Sequence, residues 1–287
     1  MDEKINTLYR SYREGKVERR EFLKKLAVLA GGSAAAMAIL PSLENNLLKA
    51  AGSFIADEDV QSEFITYPGE TGDMRALLAS PKTDQKLPAV VVIHENRGLQ
   101  PHIQDVTKRV AKEGFLALGP DALSPLGGTP PDDVDKARSM MRELDREKTV
   151  KNFVAAVKYL KTHPLSTGKV GCTGFCWGGA MTNQVAVHSP DLVAAVPYYG
   201  SQPTPEDVPK IKAAVMAHYA GNDARINSGI EAFEKAMKEA SIEYTIFIYE
   251  GASHAFNNDA NPSRYHKESA LLAWERTIAF FKEKLKT

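Results

Sequence analysis

Cysteine is scarce in this chain: 287 residues carry two, Cys172 and Cys176, four positions apart. On a single strand-to-turn unit that spacing cannot give a bridge of acceptable geometry, so a disulfide framework is excluded and each thiol needs its own reason. Net charge is absent too. The 36 Lys and Arg balance 36 Asp and Glu, leaving no global field to attract polyanions, so nucleic acid is not an expected partner. The apolar run from Leu26 to Leu40 is interrupted by Gly31, Gly32 and Ser33 and falls short of the roughly 20 residues a helix needs to cross a bilayer. No stable membrane span is expected. Seven histidines are scattered along the chain, and no set of His, Cys and carboxylates shows metal-ligand spacing, so no metal or other cofactor is expected. Repeats and low-complexity linkers are missing as well. What remains is 43% hydrophobic and 25% charged, which excludes disorder, collagen and coiled coil and fits one large α/β domain or two small ones.

The first fifty or so residues differ in character from the rest. Glu18–Lys25 reads Glu-Arg-Arg-Glu-Phe-Leu-Lys-Lys and leads into the small-residue apolar run. This resembles a twin-arginine export signal, which implies transient engagement of the twin-arginine machinery and a periplasmic or otherwise exported protein. The chain departs from the pattern in having Glu18 where Ser or Thr is usual, and in lacking a clean Ala-x-Ala site between Leu40 and Asp57. The competing reading is a cytoplasmic protein with an amphipathic N-terminal helix whose Arg19 and Arg20 are merely solvated. Residues 1–56 are assigned to signal and linker, and 57–287 to a single domain.

From Asp57 onward, short β-branched runs alternate with helical patterns, predicting an α/β fold with a mostly parallel, doubly wound sheet and helices on both faces. Gln61–Tyr67 and Met74–Ser80 form a leading hairpin around Pro68-Gly69 and Gly72-Asp73. Further strands are expected at Ala89–His94, Phe115–Gly119, Val170–Phe175, Val193–Tyr198, Ala213–Tyr219 and Tyr244–Tyr249. Helices are expected at Ile103–Glu113, Val134–Leu144, Thr149–Thr162, Gly178–His188, Ile226–Ala240 and Tyr265–Lys284.

One strand ends in chemistry. Val170-Gly-Cys-Thr-Gly174-Phe-Cys176-Trp-Gly178-Gly179 runs as Gly-x-Cys-x-Gly straight into a helical pattern, the form of a nucleophile elbow with cysteine in place of serine. Flanking glycines suit it because side chains there would strike the neighbouring strand and helix, and Cys176 would stand at a helix N-terminus whose partial positive charge favours a thiolate. Cys172, inside the strand, reads as a buried core thiol. A nucleophile needs a base and the base an orienting acid. Asp223 follows the Ala213–Tyr219 strand and His254 follows the next, so Cys176, Asp223 and His254 keep the nucleophile, acid, histidine order of the α/β-hydrolases. Singly, Asp223 could instead cap a helix and His254 could be an ordinary loop residue. The expected oxyanion donors are the backbone N–H groups of Trp177 and of Asn96 in the loop after Ala89–His94.

With His94-Glu95-Asn96-Arg97-Gly98, Gly119-Pro120-Asp121, Gly174-Phe-Cys-Trp-Gly-Gly179, Gly221-Asn222-Asp223 and Gly251-Ala-Ser-His-Ala-Phe256 in order, the stretch from Glu63 to Leu285 resembles the dienelactone hydrolase family, the cysteine-nucleophile branch of the α/β-hydrolases. The resemblance implies hydrolysis of a small ester or lactone through an acyl-cysteine intermediate. It also implies that Glu95 touches the resting thiol and assists its ionisation. A solvated Glu95, or one paired with Arg97, is the plainer alternative. The two arginines with which the family's founding enzymes hold a substrate carboxylate are here Pro125 and Asn258, while Arg97, Arg225 and Arg264 remain as other cations. Leu123–Asp133, rich in Gly and Pro, is expected to line the pocket. A thioesterase or peptidase on the same scaffold, and a redox-sensing or binding protein using Cys176, are the competing functions.

Overall fold

The computed structural model describes residues 3–13, 16–33, 35, 36, 39 and 57–286, and the chain divides into two units, 1–54 and 55–287. In the first, helices α1 (Glu3–Arg13) and α2 (Arg19–Ala30) meet through aromatic rings, with Phe22 stacked on Tyr12 at 4.5 Å. Arg19 and Arg20 open α2, and Gly31, at a φ of 81°, ends it. Residues 40–56, where a cleavage site was sought, lie outside the described residues.

The second unit is built on eight strands: β1 (Val60–Gly69), β2 (Gly72–Pro81), β3 (Leu87–Ile93), β4 (Leu116–Pro120), β5 (Ser166–Phe175), β6 (Leu192–Tyr198), β7 (Ala214–Asn222) and β8 (Tyr244–Ser253). Their order is β1-β2-β4-β3-β5-β6-β7-β8. The leading hairpin and the β2–β4 pair are antiparallel, and every later pair is parallel. The expected doubly wound sheet is therefore observed, with the hairpin forming one edge.

The central strands explain themselves. From Ala89 to Ile93, β3 is wholly buried, as a continuous apolar run must be when both faces are covered. Along β5 the side chains alternate. Val170 and Cys172 enter a core shared with Phe153, Val157 and Leu160 of α5 (Arg146–Thr162), Met181 and Val185 of α6 (Trp177–His188), and Phe233 and Met237 of α8 (Ile230–Glu239). Gly171 faces the other way, and a Cβ there would lie 2.7 Å from Phe281 of α9 (Lys267–Lys284). Helix α3 (Pro101–Lys112) shares that second face, its Thr107 packed against Gly119. Helix α4 (Val134–Glu143) leads into α5.

One expected helix is broken. The Ile226–Ala240 pattern forms a single turn, α7 (Ala224–Asn227), and then α8. The Ile226 carbonyl, which an unbroken helix would offer to Ile230, accepts instead from the Gly229 amide and from Gln202 Nε2. Asn227 Nδ2 meanwhile donates back to the Ala220 carbonyl of β7 at 2.8 Å. Partners distant in sequence thus override the local periodicity.

Candidate active site

Cys176 sits between β5 and α6 at φ 58° and ψ −113°, a conformation that a non-glycine residue adopts only when its surroundings enforce it. The enforcement is visible. Its amide donates to the Tyr198 carbonyl of β6, and its carbonyl accepts from Ala180 within α6. A Cβ on Gly178 would stand 2.4 Å from the His94 carbonyl oxygen, and one on Gly174 would stand 2.3 Å from the Gly178 carbonyl oxygen. The glycines are there because three backbone segments converge at the turn, as the motif implied.

The loops after β7 and β8 bring the other two residues to the thiol. His254 Nε2 lies 3.1 Å from Cys176 Sγ, and His254 Nδ1 lies 2.5 Å from Asp223 Oδ2. Asp223 opens α7, yet its carboxylate takes no helix amide as a cap and is directed at the histidine. Because a carboxylate only accepts, Nδ1 carries the hydrogen and Nε2 presents its lone pair to the sulfur.

The electrostatics of the thiol run against the helix-terminus expectation. The Trp177 backbone N–H close to the sulfur and the positive charge of Arg225 both favour the thiolate. Burial and then the negative charge of Glu95 outweigh them, pushing the Cys176 thiol up to about 11. The resting group is a neutral thiol, the form that resists adventitious oxidation. Cys172, fully buried with its sulfur on Thr182, is pushed to about 12 and belongs to the core.

Glu95 lies half-buried in the loop after β3. Its Oε2 accepts from Asn258 Nδ2 at 2.9 Å, so its partner is Asn258 and not Arg97. A neutral amide thus meets the carboxylate at one of the two positions where the resemblance led us to look for an arginine. Asn96 is exposed in the same loop, next to the elbow. Among the cations, Arg225 acts on the thiol and Arg264 reaches the His254 carbonyl at 3.5 Å.

Several contributors escaped the sequence reading. His94 is buried, stacked on the Trp177 ring at 5.5 Å. The Ala122 amide donates to its Nε2, so Nδ1 must be the protonated nitrogen and donates to the Glu95 carbonyl at 2.6 Å. Burial holds this ring below the usual imidazole range, and it serves as a neutral strut that positions the Glu95–Asn96 backbone. Asp121, also buried, accepts from the Leu123 and Thr129 amides and from the Thr129 hydroxyl, whose oxygen accepts in turn from the Leu99 amide. The loop after β4 is thereby latched to the loop after β3. The third contributor is Tyr199, whose ring packs on the His254 imidazole at 5.1 Å. The signal for it was positional: Tyr198-Tyr199-Gly200 leaves the carboxyl end of the strand beside the elbow.

A cavity of about 270 Å³ opens beside Trp177, lined by Met141, Leu144, Arg146, Met181 and Ser201 among others. Its walls come from α4, α5, α6 and the loop after β6, while Leu123–Asp133 is held to the loop after β3 through the Asp121 latch. Among the described residues, no three His, Cys, Asp or Glu side chains are grouped as a metal site, and no helix is long and apolar enough to cross a membrane.

A profile of the dienelactone hydrolase family matches residues 74–285. A protein of Escherichia coli (strain K12) named "Putative carboxymethylenebutenolidase" is 32% identical over 243 residues, covering 79% of this chain and 89% of its own length. "Protein usf" of Aquifex pyrophilus is 36% identical over 220 residues, 74% of this chain and 94% of that protein. The crystal structure of a "Putative Dienelactone Hydrolase" from Klebsiella pneumoniae superposes with a TM-score of 0.69 at 29% identity, covering 78% of this chain and 99% of the other. With its sheet order, its strand-to-helix elbow and these relatives, the chain has the α/β-hydrolase fold, belongs to the dienelactone hydrolase family and is a hydrolase acting on ester or lactone bonds.

Proposed function

We propose that the chain hydrolyses a small ester or lactone through an acyl-cysteine intermediate. The observation that carries this reading is the unbroken run of hydrogen bonds from Asp223 through His254 to Cys176 Sγ at a strained strand-to-helix turn. His254 Nε2 takes the thiol proton as Sγ bonds to the carbonyl carbon. The carbonyl oxygen becomes an oxyanion held by the Trp177 and Asn96 amides. His254 then returns the proton to the leaving oxygen, and water, activated by the same nitrogen, releases the acid and restores the thiol. Asp223 keeps His254 in the tautomer this needs and steadies the imidazolium.

The neutral thiol gives Glu95 its role in this scheme. While Glu95 rests on Asn258, its charge opposes thiolate formation; a substrate that displaces the carboxylate from Asn258 toward the sulfur provides a second proton acceptor at the moment of attack. The test is steady-state turnover of short p-nitrophenyl esters and a simple lactone panel, followed by intact-mass analysis of the enzyme during turnover. An acyl adduct on the Cys176 peptide is the expected result, and turnover with no adduct on that peptide in rapid-quench samples would exclude the mechanism.

We further propose that residues 1–56 direct export through the twin-arginine route. Support comes from the Arg19-Arg20-Glu-Phe-Leu string ahead of a short small-residue apolar run. Full-length protein is expected in the periplasmic fraction of a host with that machinery. Changing both Arg19 and Arg20 to lysine should retain it in the cytoplasm, and an unaltered distribution would rule the route out.

A further inference from the structure

Tyr199 combines two departures from ordinary protein structure. The first is backbone strain: φ is 36°, in the left-handed region that a bulky aromatic residue rarely enters. Its amide donates to the His218 carbonyl of β7 at 2.7 Å while the neighbouring Tyr198 carbonyl holds the Cys176 amide on the other side, so the chain is pinned between two strands. Strain of this kind persists where the surroundings over-determine it, and it gathers at functional sites.

The second departure is polar. Tyr199 is 1% exposed, yet its hydroxyl has no hydrogen-bond partner. Buried hydroxyls are nearly always bonded, and the other buried tyrosines of this sheet conform: Tyr67 donates to the Asn152 carbonyl, Tyr198 pairs with Thr277, and Tyr249 with His218. Tyr219 shares the lack, but it lies in an apolar cluster with Ile226 and Ile230, where Gln202 faces it. Tyr199 is different in its surroundings. Its ring lies against His254 and Phe256, and after burial the charges of Glu95 and Cys176 hold its phenol well above the ordinary range. The group is therefore a protonated donor at every working pH. The Asn257 backbone faces the oxygen without reaching hydrogen-bond geometry, and nothing accepts the proton.

We infer that Tyr199 is a catalytic hydrogen-bond donor whose missing acceptor is an oxygen of the ester or lactone group bound at Cys176. This rests on the acyl-cysteine reading above. The hydroxyl is unbonded and closed to solvent beside the His254 ring; substrate entry must part the side chains over it before the acceptor reaches it, and the bond then strengthens as negative charge develops on that oxygen. That opening belongs to the binding step, and the strained backbone keeps the ring fixed during the chemical step that follows.

Tyr199→Phe removes one oxygen and leaves the ring. If the inference holds, kcat falls by about 10- to 100-fold, somewhat less than the loss typical for a full oxyanion-hole donor. KM stays within about twofold and the midpoint of thermal unfolding is unchanged or raised, because a buried orphan is deleted. Opposite movement of activity and stability is the signature a merely structural hydroxyl would not give. Wild-type kcat in the variant would show the hydroxyl to be a tolerated packing defect, and a lowered unfolding midpoint together with lower kcat would show that it holds the fold; either overturns the inference. If Tyr199→Phe is silent while the acyl adduct still forms on Cys176, only this inference fails. If no adduct forms at all, the underlying mechanism fails with it.

Discussion

Cys176→Ala is expected to lower kcat for short p-nitrophenyl esters by at least about 10³-fold while the fold persists. In the proposed mechanism the sulfur bonds to the carbonyl carbon, and it lies 3.1 Å from His254 Nε2, the nitrogen that would take its proton. Alanine keeps the Cβ, so the strain at φ 58° and the close approach of Gly178 to the His94 carbonyl are the same in variant and wild type. The loss should therefore be chemical. A residual rate above water would remain, since the Trp177 and Asn96 amides can still stabilise charge on a bound ester attacked by solvent. Steady-state kinetics with circular dichroism of both proteins measures it. A variant that kept a tenth or more of wild-type turnover would show that the nucleophile lies elsewhere and would favour the redox-sensing reading of Cys176.

The second large effect belongs to Asp223→Asn. In the wild type the carboxylate accepts from His254 Nδ1, and that acceptor role is what leaves Nε2 unprotonated toward the sulfur. An asparagine can offer its own amide hydrogens to Nδ1, which places the imidazole hydrogen on Nε2, facing the thiol with no lone pair. The base is then lost although every atom remains nearly in place, and kcat should fall by about 10³- to 10⁴-fold near neutral pH. The pH dependence tells this apart from a displaced histidine. Because burial and Glu95 push the thiol up to about 11, direct ionisation supplies thiolate only as the pH climbs toward that value, so the variant should regain rate, after subtraction of alkaline background, as the solution is made more basic. A variant flat across pH 7 to 10 in that range would count against the tautomer argument.

Much of this was legible in the sequence because it is local. The Gly-x-Cys-x-Gly turn needs its glycines within two residues of the nucleophile, and the run of helix-compatible residues after it, free of Pro, marks the helix that follows. Strands β3, β4 and β6 are short, largely apolar runs bounded by polar turns, and an acid after one later strand and a histidine after the next fix their end of the sheet once the sheet is known to be parallel. The same locality explains the misreadings. Ile226–Ala240 has helical spacing throughout, yet Gln202, far away in sequence, claims the carbonyl that would have continued the helix. The helix N-terminus predicts a low thiol pKa, yet burial and a carboxylate from the loop after β3 reverse the sign.

By itself, then, the sequence determined the alternation of strands and helices, the elbow, and the identity and order of Cys176, Asp223 and His254, because each depends on residues a few positions apart. Tertiary structure alone decided that Glu95 rests on Asn258, 163 residues away, that His94 is a neutral strut between Ala122 and the Glu95 carbonyl, and that Tyr199 is strained with an unbonded hydroxyl at the His254 ring. Those facts arise from strand order and from which loop ends meet above the sheet. Partners that distant are brought together by burial of the whole core, and no short segment carries a periodicity that records them.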